Sequence, residues 1–149
     1  MSNICGSCGA NNDSLLTTCL YCESSLVPPK LDQVSDEDLI TEGGKWIGRI
    51  TASHYASAYD ESKCIEITEN NVNIELSRAE VDSNTNKYIS IIQARSLSNP
   101  NMKHMLETFK KDIEIAEKKA SERVKKDWMQ AGGGVGLCLC IYLFVWIVS

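Results

Sequence analysis

Residues 5–22 read CGSCGANNDSLLTTCLYC, and this stretch decides how the N-terminal end of the chain folds. Cys5 and Cys8 are separated by two residues, as are Cys19 and Cys22, with ten residues between the pairs. Two residues between thiolates let one tight turn aim both sulfurs at one ion, and two such turns complete a tetrahedral site. A segment of about 26 residues buries too little apolar surface to fold alone, so metal binding supplies its folding free energy. Four thiolates close the shell against water and substrate, so the expected cofactor is one structural Zn2+ held by Cys5, Cys8, Cys19 and Cys22. The competing chemistry is redox exchange, which wants one cysteine pair opening a helix in a β-α-β unit. No such unit is visible in the sequence.

The same residues resemble the short zinc-ribbon domains at the N-terminus of many prokaryotic proteins. Those domains read CxxCG, a spacer, CxxCG, then a small residue and Leu. Cys5, Cys8 and Gly9 match the first knuckle, Cys19 and Cys22 the second, and Leu26 the closing apolar residue. Glu23 stands where the second Gly usually sits, and Thr18 where an aromatic residue commonly precedes the second pair. The resemblance covers residues 4–26 and implies a structural zinc; such ribbons serve nucleic-acid binding, protein docking and plain stabilisation alike. Charge separates these uses. Residues 1–29 contain no Lys or Arg, and Asp13 and Glu23 add to a metal–thiolate cluster of about −2. Phosphate backbones are bound by basic residues, so no nucleic acid is expected here. Protein docking remains, with Leu15, Leu16, Leu20 and Tyr21 as candidate contact residues.

Outward from this ribbon (residues 1–26), Val27-Pro28-Pro29-Lys30 begins a stiff linker over 27–34. Ser35 followed by Asp36-Glu37-Asp38 reads as a helix N-cap with acidic charge in the first turn. Leu39, Gly43, Trp46, Ile47, Ile50 and His54 continue at helical spacing. The small residues Gly43, Gly44, Ala52, Ala56 and Ala58 would let a neighbouring helix approach. Residues 64–76 fit two patterns. Ile65, Ile67, Val72, Ile74 and Leu76 alternate around Asn70-Asn71, as in a β-hairpin, but Ile65, Val72, Leu76 and Ala79 also fit a helix. The helical flanks favour the helix, which Val81, Thr85, Tyr88 and Ile92 would prolong. Cys64 is expected as a small buried apolar residue.

Asn99-Pro100 marks the next helix start, an N-cap followed by Pro in the first turn. Met102, Leu106, Phe109, Ile113, Ala116, Ala120, Val124 and Trp128 hold one face through 99–130, with Glu107–Lys111, Glu114–Lys118 and Glu122–Lys126 as i,i+4 pairs outside. Residues 131–148, AGGGVGLCLCIYLFVWIV, carry no charge and span about 27 Å as a helix. They are expected to be a transmembrane tail anchor in the lipid bilayer. Lys110, Lys111, Lys118, Lys119, Arg123, Lys125 and Lys126 before them would keep the N-terminal head in the cytoplasm, beneath a plasma or inner membrane. Thiols there stay reduced, which again favours metal over disulfide. Gly132, Gly136 and Cys140 fall in one row of that helix, where a second copy would pack to form a homo-oligomer.

The expected fold class is therefore mostly α: a small zinc ribbon, a helical region over 35–98, and a long C-terminal helix running into a single transmembrane helix. The formal charge of −5 is divided among the ribbon, net −2 over 1–26, a head of net −5 over 35–98 and a basic stalk of net +2 over 99–130, with the linker neutral. His54 and His104 are the only histidines, and no nucleophile, acid or phosphate loop accompanies either. Neither a catalytic residue nor a small-molecule substrate is expected. The sequence reads as a membrane adaptor or complex subunit whose ribbon docks an unidentified protein partner. A self-assembling, bilayer-perturbing membrane protein regulated by its head is the alternative.

Overall fold

The computed structural model describes residues 3–69 and 71–148, with side chains through residue 131. Two short strands, β1 (Asn3–Ile4) and β2 (Asn11–Asn12), pair antiparallel within the ribbon. A 3-10 turn at Leu31–Gln33 leads to helix α1 (Asp36–Ser57). Strands β3 (Ile65–Glu69) and β4 (Val72–Leu76) form an antiparallel hairpin, and helices α2 (Arg78–Ser96) and α3 (Pro100–Val148) complete the chain.

Local chemistry sets the helix starts. The Ser35 hydroxyl accepts from Asp38 N–H at 3.0 Å. Ser77 and Glu80 form a full capping box at the start of α2. Asn99 Oδ1 accepts from Asn101 N–H at 3.0 Å beside Pro100. Tertiary contacts then set the directions. Asp36, at the start of α1, receives Arg95 and Asn99 from the α2–α3 junction. His54, near the end of α1, meets Asp82 at the start of α2 at 2.7 Å. Thr51 donates to the Ala116 carbonyl at 3.3 Å, while Tyr55 and Tyr59 both donate to Asp127. Helix α2 thus runs back along α1, and α3 returns parallel to α1.

The three helices share one core around Trp46, Tyr88, Ile92, Met102 and Phe109. Of the small residues expected to admit a neighbour, Gly43 does so. A Cβ built there would lie 3.1 Å from the Phe109 ring and 3.4 Å from Tyr88 Cβ, whereas one at Gly44 would meet nothing within 4 Å. A side chain at residue 43 would hold α2 and α3 off α1.

Residues 65–76 form a hairpin and not the helix that their flanks favoured. The alternation decides it: Ile65, Ile67, Ile74 and Leu76 share the face that covers the core, and Glu66, Thr68, Asn73 and Glu75 take the exposed one. Asn71 supplies the turn at φ 64°, a conformation Asn adopts readily. Arg49 joins the hairpin to α1, stacking 4.3 Å over the Trp46 ring and pairing with Glu69 at 3.4 Å. Cys64, expected inside, is exposed.

The transmembrane expectation is corrected. Among the described residues, no helix is long and apolar enough to cross a membrane. Over its described side chains, α3 buries Met102, Leu106, Phe109, Ala116 and Ala120 against α1 and α2, and its remaining positions are mostly charged, with Ile115, Trp128 and Met129 exposed among them. The fold class with a spanning helix, and the single-pass placement with a cytoplasmic head, fall with it. Gly132, Gly136 and Cys140, the expected packing row, lie outside the residues whose side chains are described.

Candidate metal centre

The two cysteine pairs form matching turns. In the first, Cys5 N–H donates to the Ala10 carbonyl at 2.9 Å and Gly9 N–H to the Cys5 carbonyl at 2.8 Å. In the second, Cys19 N–H donates to Ser24 at 2.9 Å and Glu23 N–H to Cys19 at 3.0 Å. Both turns need a left-handed residue at the same place: Gly9 has φ 73° and Glu23 has φ 60°. Glycine takes that conformation freely, whereas a residue with a Cβ gives up about 1 kcal/mol or more. The second turn therefore forms despite lacking the usual glycine, and it carries strain.

These turns bring the four sulfurs together. Cys5 Sγ lies 3.6 Å from Cys22 Sγ, and Cys8 Sγ lies 3.7 Å from Cys19 Sγ. All four lie within 4.8 Å of one another. The separations are far too long for a disulfide, whose S–S bond is about 2.0 Å. They match the edge of about 3.8 Å in a tetrahedron of sulfurs centred about 2.3 Å from each. The donor set fits a metal ion: four thiols, two from each turn, that can form a zinc-ribbon-like site. Cys5 and Cys19 face inward and are buried, while Cys8 and Cys22 face solvent.

Polar hydrogens surround the sulfurs. Asn12 Nδ2–H donates to Cys19 Sγ at 3.6 Å, while its Oδ1 accepts from Leu20 N–H at 3.0 Å. Burial pushes the Cys19 thiol up, but the N–H groups of Tyr21 and Cys22 and the Asn12 amide outweigh it and favour the thiolate. The Ser24 hydroxyl and backbone N–H bring Cys22 down to about 6. At Cys8 the Ala10 N–H favours the thiolate, yet the neighbouring sulfurs and burial carry the thiol up to about 12. Four sulfurs this close cannot all hold negative charge unaided, and a bound cation removes that conflict.

The centre is seated on the helices through residues that the cysteine spacing does not reveal. Glu42 is buried on α1 and accepts from Ser14 N–H at 3.0 Å, Ser14 hydroxyl at 2.6 Å and Tyr88 hydroxyl at 2.7 Å. Asp13 accepts from the Trp46 indole N–H at 3.0 Å and faces Lys45 at 3.4 Å. The Lys87 ammonium donates to the Leu15 carbonyl. Burial and the Glu42 carboxylate push the Tyr88 hydroxyl far up, so it stays a donor. Each residue reads singly as an ordinary helical or loop polar group, and only the fold sets Asp13-Ser14 against Glu42, Trp46 and Tyr88.

Of the candidate contact residues, Leu15 and Leu16 are 2% and 4% exposed and belong to the common core. Leu20 and Tyr21 are half-buried and pack against that core from outside. No family model, characterised protein or solved structure matches this chain.

Proposed function

We propose that this chain is a non-enzymatic docking protein, in which a structural zinc holds a ribbon rigidly on a three-helix body for a protein partner. The observation that carries this reading is the closed set of four sulfurs. A thiolate tetrahedron has no open position for water or substrate, so its work is to fix the surface around it. Zinc suits the donor set because it takes four thiolates tetrahedrally and has no redox chemistry of its own. The matching knuckles and the closing Leu26 support the resemblance to zinc ribbons. Leu20 and Tyr21, on the second knuckle, keep partly exposed apolar surface and are the contacts assigned to the partner. Leu15 and Leu16 serve the seat. The absence of Lys and Arg from residues 1–29 argues for protein over nucleic acid as the partner.

The test has two arms. Elemental analysis of protein purified without chelator should find one zinc per chain, and zinc-free protein holding its ribbon would end the reading. Affinity capture should then recover a distinct partner with the metal-loaded chain and lose it with Leu20→Asp, which alters the knuckle surface and no ligand. Capture unchanged by Leu20→Asp would remove that surface from the function.

A further inference from the structure

Between the second knuckle and the β-hairpin runs an open groove of about 800 Å³. Its apolar floor is formed by Leu16, Ile74 and Leu76, and its rim carries Glu23, Glu75 and Glu80 with no Lys or Arg among the lining residues. Two backbone edges border it. In the hairpin, Glu69↔Val72 closes the turn as a hydrogen-bonded pair, so pairing alternates and Glu66↔Glu75 is a non-bonded pair. The N–H and C=O of Glu75 therefore point away from β3. On the ribbon side, Thr18 bridges Ser25, but the bonds are Cys19 N–H to Ser24 and Leu26 N–H to Thr17. The N–H and C=O of Thr18 likewise point away from their partner strand. Neither residue's backbone groups take a hydrogen bond among the described residues.

We infer that this groove receives an extended segment of a partner protein, alternating apolar and basic residues, as an added strand against the edge of β4. An unpaired edge supplies main-chain hydrogen bonds for affinity, and alternate side chains give specificity. One face of the segment would meet Leu16, Ile74 and Leu76. The other would place Lys or Arg beside Glu23, Glu75 and Glu80 and beside a thiolate cluster that stays anionic with zinc bound. Charge also argues against a second copy of this chain as the occupant. Its own strands carry Glu66, Glu69 and Glu75 and no basic residue, so edge-to-edge pairing would oppose like charges.

This inference rests on the docking reading and names the chemistry of the partner. The probe is a fluorescein-labelled peptide of about eight residues alternating Val and Lys, with a Val and Glu peptide as control. It is titrated into the zinc-loaded full chain at about 0.15 M salt. The Val–Lys peptide should bind, and bind about tenfold more weakly to Glu23→Lys/Glu75→Lys. Amide exchange at Thr18 and Glu75 should slow on binding. If the double variant fails to hold metal, Glu75→Lys alone lies outside the ribbon and makes the same comparison. No binding to the natural chain, equal binding to the variants, binding of the acidic peptide, or unchanged exchange at both amides would overturn the inference. So would a peptide-free dimer protected at those amides. A captured partner that binds Glu75→Lys as tightly as the natural chain would leave the docking function standing and remove this groove from it.

Discussion

Residues 3–26 keep their shape around four sulfurs and two short strands, whereas residues 36–131 keep theirs around Trp46, Tyr88, Ile92 and Phe109. The first region is too small to fold by burial, and the second buries enough to need no ion. Their junction belongs to neither scheme. Leu15 and Leu16 extend the apolar core into the ribbon, and Glu42 reaches out of α1 to receive Ser14. A ribbon tethered only by its linker would be free to turn. This one has a fixed orientation, which is what a docking surface composed of ribbon and hairpin requires.

The two regions should respond most differently to loss of the metal. Cys19→Ser should unfold residues 3–26, release the zinc and free the Trp46 indole from Asp13, while helical circular dichroism is retained. Loss of the helices in the same transition would show that the two regions fold as one. Within the body, Trp46→Ala should cost about 3–5 kcal/mol in urea unfolding, since this fully buried side chain is central to the core. Its zinc content should stay at one per chain, and a parallel loss of zinc would make the ribbon dependent on the body.

The junction is predicted to be weaker than either centre. Glu42→Leu leaves Ser14 N–H, its hydroxyl and the Tyr88 hydroxyl without their acceptor and should cost about 3 kcal/mol, read as a lower urea midpoint with zinc bound. A neutral result would mean that water replaces the carboxylate there. Within the ribbon, Glu23→Gly should stabilise by about 1 kcal/mol, because glycine adopts φ 60° without strain. Competition with a chelator would show the gain as slower zinc loss, and a faster loss would contradict the strain argument.

The smallest effect is expected where α3 is pinned to the end of α1. The Tyr55 and Tyr59 hydroxyls hold the Asp127 carboxyl below its ordinary value of 3.8. A lowered folded-state value contributes stability that is present above the unfolded value and lost as pH falls through the folded one. Asp127→Asn should therefore lower stability slightly at neutral pH and converge with the natural chain in acid, which flattens the acid side of the stability–pH curve below about pH 4. An unchanged acid limb would show that this exposed contact contributes nothing measurable.

Local features were legible from neighbouring residues alone. CxxC spacing placed four cysteines where they could share one metal ion, Ser35 and Asn99-Pro100 placed two helix starts, and the apolar positions of 99–120 placed the buried face of α3. Each depends on residues a few positions apart, where turn and helix geometry alone set the distances. Residues 64–76 satisfied both periods at once, and burial of Ile74 and Leu76 on one face chose the strand. The apolar run 131–148 suggested a membrane anchor that no described helix provides. The tertiary structure alone decided the seat of the ribbon, in which Asp13, Ser14, Glu42, Trp46 and Tyr88 meet across 28 to 46 residues of chain. It also decided which backbone edges were left open beside it. Hydrogen bonds between distant residues leave no period in a sequence, because their geometry exists only once the helices have packed.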